Sequence, residues 1–194
     1  QLSELFSTLN AIVVGIRRGN NLFVPDPEDE LQPHDNIYVF SDKKDLNRTI
    51  EIFDKKSFIG KSIVILGMGS IGQNVAKMLE NKKNEGINVK VIEKSKDRAV
   101  DAAELLEKTV VLNGDGLDTE TLDEANVALS DFFVALTDDD KTNLIACSKA
   151  KAFGCKFTMA LINDPSLDKM IATMGIDSFI IPKSITVSSI LRHI

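Results

Sequence analysis

The sequence predicts a doubly wound, parallel-sheet α/β domain of Rossmann type, preceded by a small α+β subdomain. The first observation behind this is alternation. Strand-like runs at Ser62 to Leu66, Asn88 to Ile92, Thr109 to Leu112, Phe132 to Leu136, Phe157 to Ile162 and Phe179 to Ile181 are separated by helix-length amphipathic segments. Parallel neighbours need crossovers of about a dozen residues or more, nearly always right-handed, and these segments supply them. The second is that Gly67-Met68-Gly69-Ser70-Ile71-Gly72 directly follows the first of these runs and opens a helix over Ile71 to Asn81. The third is a change of texture near Asp54-Lys55-Lys56-Ser57, a charged stretch without periodicity.

Ahead of that stretch, Leu2 to Leu9 has the spacing of a short helix and Ala11 to Ile16 is an apolar, β-branched strand. Gly19, Asn20 and Asn21 turn it into Leu22 to Val24 as a hairpin. An acidic, proline-punctuated loop, Pro25 to Glu30, leads to a strand at Ile37 to Phe40. A helix over Lys43 to Phe53 then places Leu46, Ile50 and Phe53 on one face. The expected division is residues 1–54 for the small unit and 58–194 for the Rossmann unit. Within the latter, Asp164-Pro165 reads as a capped helix start, and Gly154 and Gly175 fall where helix ends need a left-handed residue.

A chain of 194 residues has room for one sizeable core and a small appendage. Its 43% hydrophobic and 27% charged residues are globular composition. The net charge of −6 has the wrong sign for coating nucleic acid or an anionic lipid surface. No apolar run approaches the ~18 residues of a membrane span, so the chain is not expected to insert into a bilayer. It opens at Gln1 without a signal-peptide pattern and reads as a piece of a longer protein.

The glycine motif carries the chemistry. Gly67 permits a sharp turn, Gly69 lets a pyrophosphate approach the backbone, and Gly72 lets helix and strand pack closely. The free N–H groups at the helix start face an anion. Glu93 ends the second strand about 20 residues past the third glycine, where a carboxylate accepts hydrogen bonds from an adenosine ribose and repels a 2′-phosphate. The cations Lys94 and Arg98 stand nearby and work against that repulsion. Asp115, in Asn113-Gly114-Asp115-Gly116, is either an acceptor for an adenine amino group or an ordinary turn carboxylate.

Thr137-Asp138-Asp139-Asp140 either caps the helix it begins or edges the ligand crevice or a subunit contact. Cys147 and Cys155 read as reduced structural thiols, and no zinc or calcium pattern is complete, so no metal is expected. Neither His34 nor His193 stands with a recognisable nucleophile. Tyr38, the single tyrosine, has Asp42 and not lysine four positions on. No catalytic residue is therefore assigned. Ser184 to Ile194 carries Ile185, Val187, Ile190, Leu191 and Ile194, which either pack on their own sheet or dock in a dimer.

These residues resemble the RCK (KTN) nucleotide-binding domains of potassium transport, in the tandem arrangement of Trk-type regulatory subunits. The carrying stretches are 63–72, 91–94, Gly114-Asp115, 135–140 with Asn143, and 181–186. Val14 to Gly19, Val24 to Pro27, Leu31 to Asp35 and Val39-Phe40 are similar to the ligand-sensing C-terminal subdomain of a preceding RCK half. The resemblance implies a cytoplasmic regulatory subunit, peripheral at the inner face of the cell membrane, that binds NAD(H) and adjusts flux through a Trk-type membrane transporter subunit. ATP or ADP is a further implied ligand, although Ser70 replaces an arginine that reaches terminal phosphates in some relatives. His34 replaces a glycine usual before Asp35. The implied cofactor-binding set is Gly67, Gly69, Ser70, Ile71, Gly72, Glu93, Lys94, Asp115, Gly116 and Thr137. The terminal segment corresponds to a crossover helix that supports dimers, with tetramers of RCK units in prospect. An NAD-dependent oxidoreductase is the alternative that the same fingerprint allows.

Overall fold

The computed structural model describes residues 11–19, 21–33, 35–42, 44–52, 60–81 and 86–182. The expected helices at Leu2 to Leu9 and Ser184 to Ile194, together with His34 and His193, lie outside them. The chain forms two compact units, Gln1–Ile59 and Gly60–Ile194.

In the first unit, β1 (Ala11–Arg18), β2 (Asn21–Phe23) and β3 (Asn36–Ser41) form an antiparallel sheet of order β2-β1-β3. The hairpin between β1 and β2 turns through Gly19 at φ +59°. The register of β1 on β3 slips between Val13 and Gly15, which leaves Val13 and Ile16 both buried beneath Phe23, Leu31, Ile37 and Val39. Arg18 closes the loop beyond β2: its Nε and Nη2 donate to the Asp35 carboxylate at 2.9 and 2.8 Å. Those bonds, with the Gln32 N–H, hold the Asp35 carboxyl down to about 2. The helix α1 is described over Leu46–Ile52, shorter than the expected span, whose ends Lys43 and Phe53 are outside the described residues.

The second unit runs β4 (Ser62–Leu66), α2 (Ser70–Glu80), β5 (Asn88–Glu93), α3 (Lys96–Leu105), β6 (Val110–Asn113), α4 (Thr119–Glu124), β7 (Phe132–Ala135), α5 (Asp140–Phe153), β8 (Phe157–Leu161), α6 (Asp168–Thr173) and β9 (Ser178–Ile180). The strands pair in parallel in the order β6-β5-β4-β7-β8-β9, the doubly wound sheet that the alternation predicts. Strand alternation divides the core in two. Ile63, Ile65, Val89 and Val91 pack with Ala76 of α2 and Ala102 of α3. Val64, Leu66, Ile92 and Phe133 pack with Leu122 of α4, Cys147 of α5 and Ile171 of α6. An apolar groove of about 540 Å³ runs between α2 and the face of β7 and β8, lined in part by Val75, Val134 and Leu161.

Gly154 and Gly175 take the expected left-handed conformation, at φ +112° and +69°. Asp164 behaves differently from expectation. Its Oδ1 accepts the Ser166 N–H at 2.9 Å, but Pro165–Leu167 is a single 3-10 turn and α6 begins only at Asp168. A proline at a first helical position is equally compatible with either kind of turn.

Candidate functional site

Because β4 lies between β5 and β7, the chain leaves it in one direction and returns on its other side. The carboxyl ends of these strands are therefore the switch point where open α/β sheets accept ligands. Gly67 leaves β4 at φ +96°, and its N–H donates to Ile92 O at 2.9 Å. A Cβ on it would come within 3.0 Å of the Thr137 backbone nitrogen, so the loops after β4 and β7 touch here. At Gly72 a Cβ would stand 2.0 Å from Gly67 O, which permits no side chain. Gly69 is the opposite case: nothing lies within 4 Å of its Cβ position. The loop is closed tightly on its protein side and cleared at one point on its outer side.

That clearing fronts the start of α2. Gly69 is the N-cap residue and no side chain accepts from the first turn, whereas Ser95 accepts the Arg98 N–H at α3 and Asp139 the Thr142 N–H at α5. The short α4 is likewise without a side-chain cap. Ser70 is exposed, and Ile71 is part of the groove lining. The first-turn amides of α2, with the helix dipole, suit an anion; the dipole contributes about 0.3–1 kcal/mol when exposed and ~2 when partly buried.

Glu93 stands beside this loop and is only 3% exposed. Its Oε2 accepts the Met68 N–H of the glycine loop at 2.7 Å. Its Oε1 accepts the Ser95 N–H at 2.8 Å and Arg98 Nε and Nη2 at 3.2 and 3.0 Å. Lys94 turns the other way, to a 2.8 Å ion pair with Asp115 Oδ2, while Asp115 Oδ1 accepts the Leu117 N–H at 2.9 Å. The Lys94 bond, then the Leu117 amide, hold the Asp115 carboxyl below the usual carboxylate range. Asp115 is thus also the turn carboxylate of the β6 to α4 loop. Gly116 packs against the core, since a Cβ there would stand 2.3 Å from a methyl of Leu66.

Thr137 is fixed from beneath by Asn143, which is fully buried. Asn143 Oδ1 accepts the Thr137 N–H at 3.0 Å and its hydroxyl at 2.7 Å, and Asn143 Nδ2 donates to Thr137 O and to Leu161 O. Two of the three aspartates that follow hold structure. Asp139 caps α5, and Asp140 accepts the backbone N–H groups of Asn163 and Asp164 at 2.9 and 2.8 Å.

The structural tasks of Asn143 and Arg98 are not carried by any sequence motif. A single amide among Leu144, Ala146, Cys147 and Ala150 on the buried side of α5 is the signal for Asn143. For Arg98 the signal is its place one turn into the helix that follows Glu93. Among the described residues no group of three His, Cys, Asp or Glu could hold a metal. Burial pushes the Cys147 thiol up to about 12, so it is no nucleophile at neutral pH. The arrangement suits recognition: amides and a cleared backbone for a phosphate, and a buried carboxylate oxygen for a sugar hydroxyl. The phosphate and ribose of a nucleotide fit this donor set.

Comparison with known proteins finds relatives named for potassium uptake. The TrkA-N domain model matches residues 63–182 and the TrkA-C domain model residues 1–54. The Trk system potassium uptake protein TrkA of Azorhizobium caulinodans is 39% identical over 194 residues, which is all of this chain and 42% of that protein. A Trk system potassium uptake protein homolog of Methanosarcina mazei is 31% identical over 181 residues, 93% of this chain and 44% of the relative. The chain thus spans less than half the length of these relatives. Among solved structures, the GsuK RCK domain superposes with a TM-score of 0.64 at 18% identity, covering 97% of this chain and 39% of that one. The TrkA-N domain of the inner membrane protein ybaL from Escherichia coli gives 0.62 at 15%, covering 70% and 98%. The GsuK channel bound to NAD gives 0.64 at 19%, covering 98% and 34%.

Proposed function

The chain belongs to the TrkA-N domain family, and from that premise we propose that it is the nucleotide-binding regulatory part of a Trk-type potassium uptake system. In this reading residues 58–194 bind NAD(H), with ADP or ATP as competing ligands, and residues 1–54 are part of a sensing subdomain. The partner is the membrane subunit of the transporter, met from the cytoplasmic side by a dimer or higher assembly of these units. The names of the relatives and the NAD- and ADP-bound states of GsuK support it.

One observation carries the proposal: the uncapped start of α2 at Gly69 lies in the same loop whose Met68 N–H is held by the buried Glu93 carboxylate. The amides of residues 69–72 would hold the pyrophosphate. Glu93 would accept from the ribose, Asp115 with Lys94 would edge the adenine side, and Thr137 would face the crevice from β7. When bound, the dinucleotide supplies a charged signal that is not consumed. Binding biases the assembly only to the extent that the site differs between its conformations. A coupling of about 1–3 kcal/mol gives a roughly 5- to 150-fold effect on the partner.

The test is to purify the chain without added nucleotide and identify the retained ligand by mass spectrometry, then to titrate NADH, NAD+, ADP and ATP calorimetrically. The expected result is a bound dinucleotide, recovered intact after incubation with carbonyl substrates. Steady oxidation of NADH would instead support the oxidoreductase.

A further inference from the structure

We propose that Arg98 is a positioning residue of the nucleotide site, which saturates one oxygen of Glu93 so that the other alone meets a ribose hydroxyl. The proposal rests on the nucleotide-binding reading above and adds to it how the sugar is recognised.

A carboxylate oxygen offers about two acceptor positions. Oε1 of Glu93 already takes three donors, from Ser95 N, Arg98 Nε and Arg98 Nη2, so it has nothing left for a ligand. Among the described residues Oε2 takes one, the Met68 N–H at 2.7 Å, which leaves one position open. The Arg98 contact uses the fork of the guanidinium, which fixes direction as well as charge. Its side chain is 56% exposed, while that of Glu93 is 3% exposed, so the pair reaches from solvent into the site and the arginine itself fills no core volume.

Two consequences follow from that asymmetry. The two oxygens cannot each take one of the two hydroxyls of a ribose, because only Oε2 is available. A hydroxyl that docks on Oε2 also shares its acceptor with an amide of the glycine loop. Sugar occupancy is thereby tied to the geometry of the loop that would hold the phosphates. Arg98 enforces both, without touching the ligand's hydroxyls through its own donors.

The experiment compares ADP with 2′,3′-dideoxyadenosine diphosphate, which share base and phosphates and differ only in the ribose hydroxyls, by calorimetry on wild type, Arg98→Ala and Arg98→Lys. Wild type should prefer ADP by about tenfold or more, the scale of a hydrogen bond to a charged group. Arg98→Ala should reduce that ratio to less than about threefold by weakening ADP alone, both affinities being read against the melting temperature of the same variant, which falls as the buried carboxylate loses two donors. Arg98→Lys, with one point of contact, should fall between. A purely structural role would weaken both ligands alike, and that result overturns the proposal, as does an unchanged ratio. A larger ratio in Arg98→Ala would make the arginine a competitor for the carboxylate and also overturn it. Wild type that binds both ligands equally sinks the role of Arg98 and leaves nucleotide binding standing. Wild type that binds neither ADP nor NADH sinks both.

Discussion

The two edges of the six-stranded sheet use the same chemistry to opposite ends. At the amino edge, carboxylates of the chain satisfy backbone amides of the chain. Asp131 accepts from Lys61 and Ser62 at 2.7 and 3.0 Å, Glu80 from Lys108 and Thr109 at 2.6 and 2.7 Å, and Asp177 from Thr158 at 2.7 Å. At the carboxyl edge Asp140 does the same for Asn163 and Asp164, but the start of α2 has no such partner. The amides of a helix start take an acceptor from a side chain, water or a ligand, and here the sequence supplies glycine where a capping side chain would stand. The start of α2 lacks such an acceptor even though the Glu93 carboxylate takes the Met68 N–H just ahead of it.

The contrast breaks first at Gly72. Gly72→Ala puts a methyl where Gly67 O stands at 2.0 Å, against backbone that cannot turn aside. The expected cost is about 3 kcal/mol or more, at the top of the overpacking range, with nucleotide binding lost as well. Urea unfolding measures the first and calorimetry the second. A midpoint like that of wild type would mean that α2 and β4 are not packed as closely as described.

Next in size is Glu93→Ala, which should weaken NADH by about 1.5–3 kcal/mol if the carboxylate holds the ribose. Unchanged calorimetric affinity would remove Glu93 from the site. The substitution also strips acceptors from Met68 and Ser95, so the affinity is read against the melting temperature of the same variant.

How much of this was legible beforehand depends on distance along the chain. Strand and helix order follows from periodicity, because the alternation of Ile63 and Ile65 against Val64 and Leu66 is local and records two buried faces. The glycine loop is equally local: a tight turn and a helix start within six residues. What the sequence left open are pairings that depend on where the loops land. Lys94 selects Asp115 and Arg98 selects Glu93, although both cations neighbour Glu93 in sequence. Asn143 joins Thr137 to Leu161, and its partners are set by the packing of β7 against β8. The run Thr137 to Asp140 is compatible in sequence with a cap, a crevice edge or a subunit contact, and the cap at Asp139 is visible only when the Thr142 N–H is placed.

The amino edge gives a smaller, pH-dependent effect. The Lys156 ammonium, with the Ser62 and Lys61 amides, lowers the Asp131 carboxyl to about 2. Since the folded value lies below the unfolded value of roughly 3.9, this stabilisation is complete above that value and disappears as pH falls toward about 2. Lys156 is 62% exposed, so solvent screening holds the ion pair's contribution to about 1 kcal/mol or less. Asp131→Asn should lower the urea midpoint at pH 7 and reduce the loss of stability between pH 4 and about 2. An equal acid sensitivity in the variant would assign that loss to other carboxylates.

The smallest effect on stability separates the edges most sharply. Gly69 has φ −68° and ψ −176°, which alanine adopts without strain, and no atom lies within 4 Å of the added methyl. Gly69→Ala should therefore leave the unfolding midpoint within about 0.5 kcal/mol of wild type, since nothing in the protein opposes it. A phosphate seated against that backbone would be displaced by the methyl, so NADH affinity should fall about tenfold or more while adenosine, which lacks the phosphates, binds as before. A variant equal to wild type in both respects would show that the cleared backbone at Gly69 is idle surface. The uncapped amides of α2 would then be no different from those of the short α4, and the two edges of the sheet would differ in side-chain supply alone.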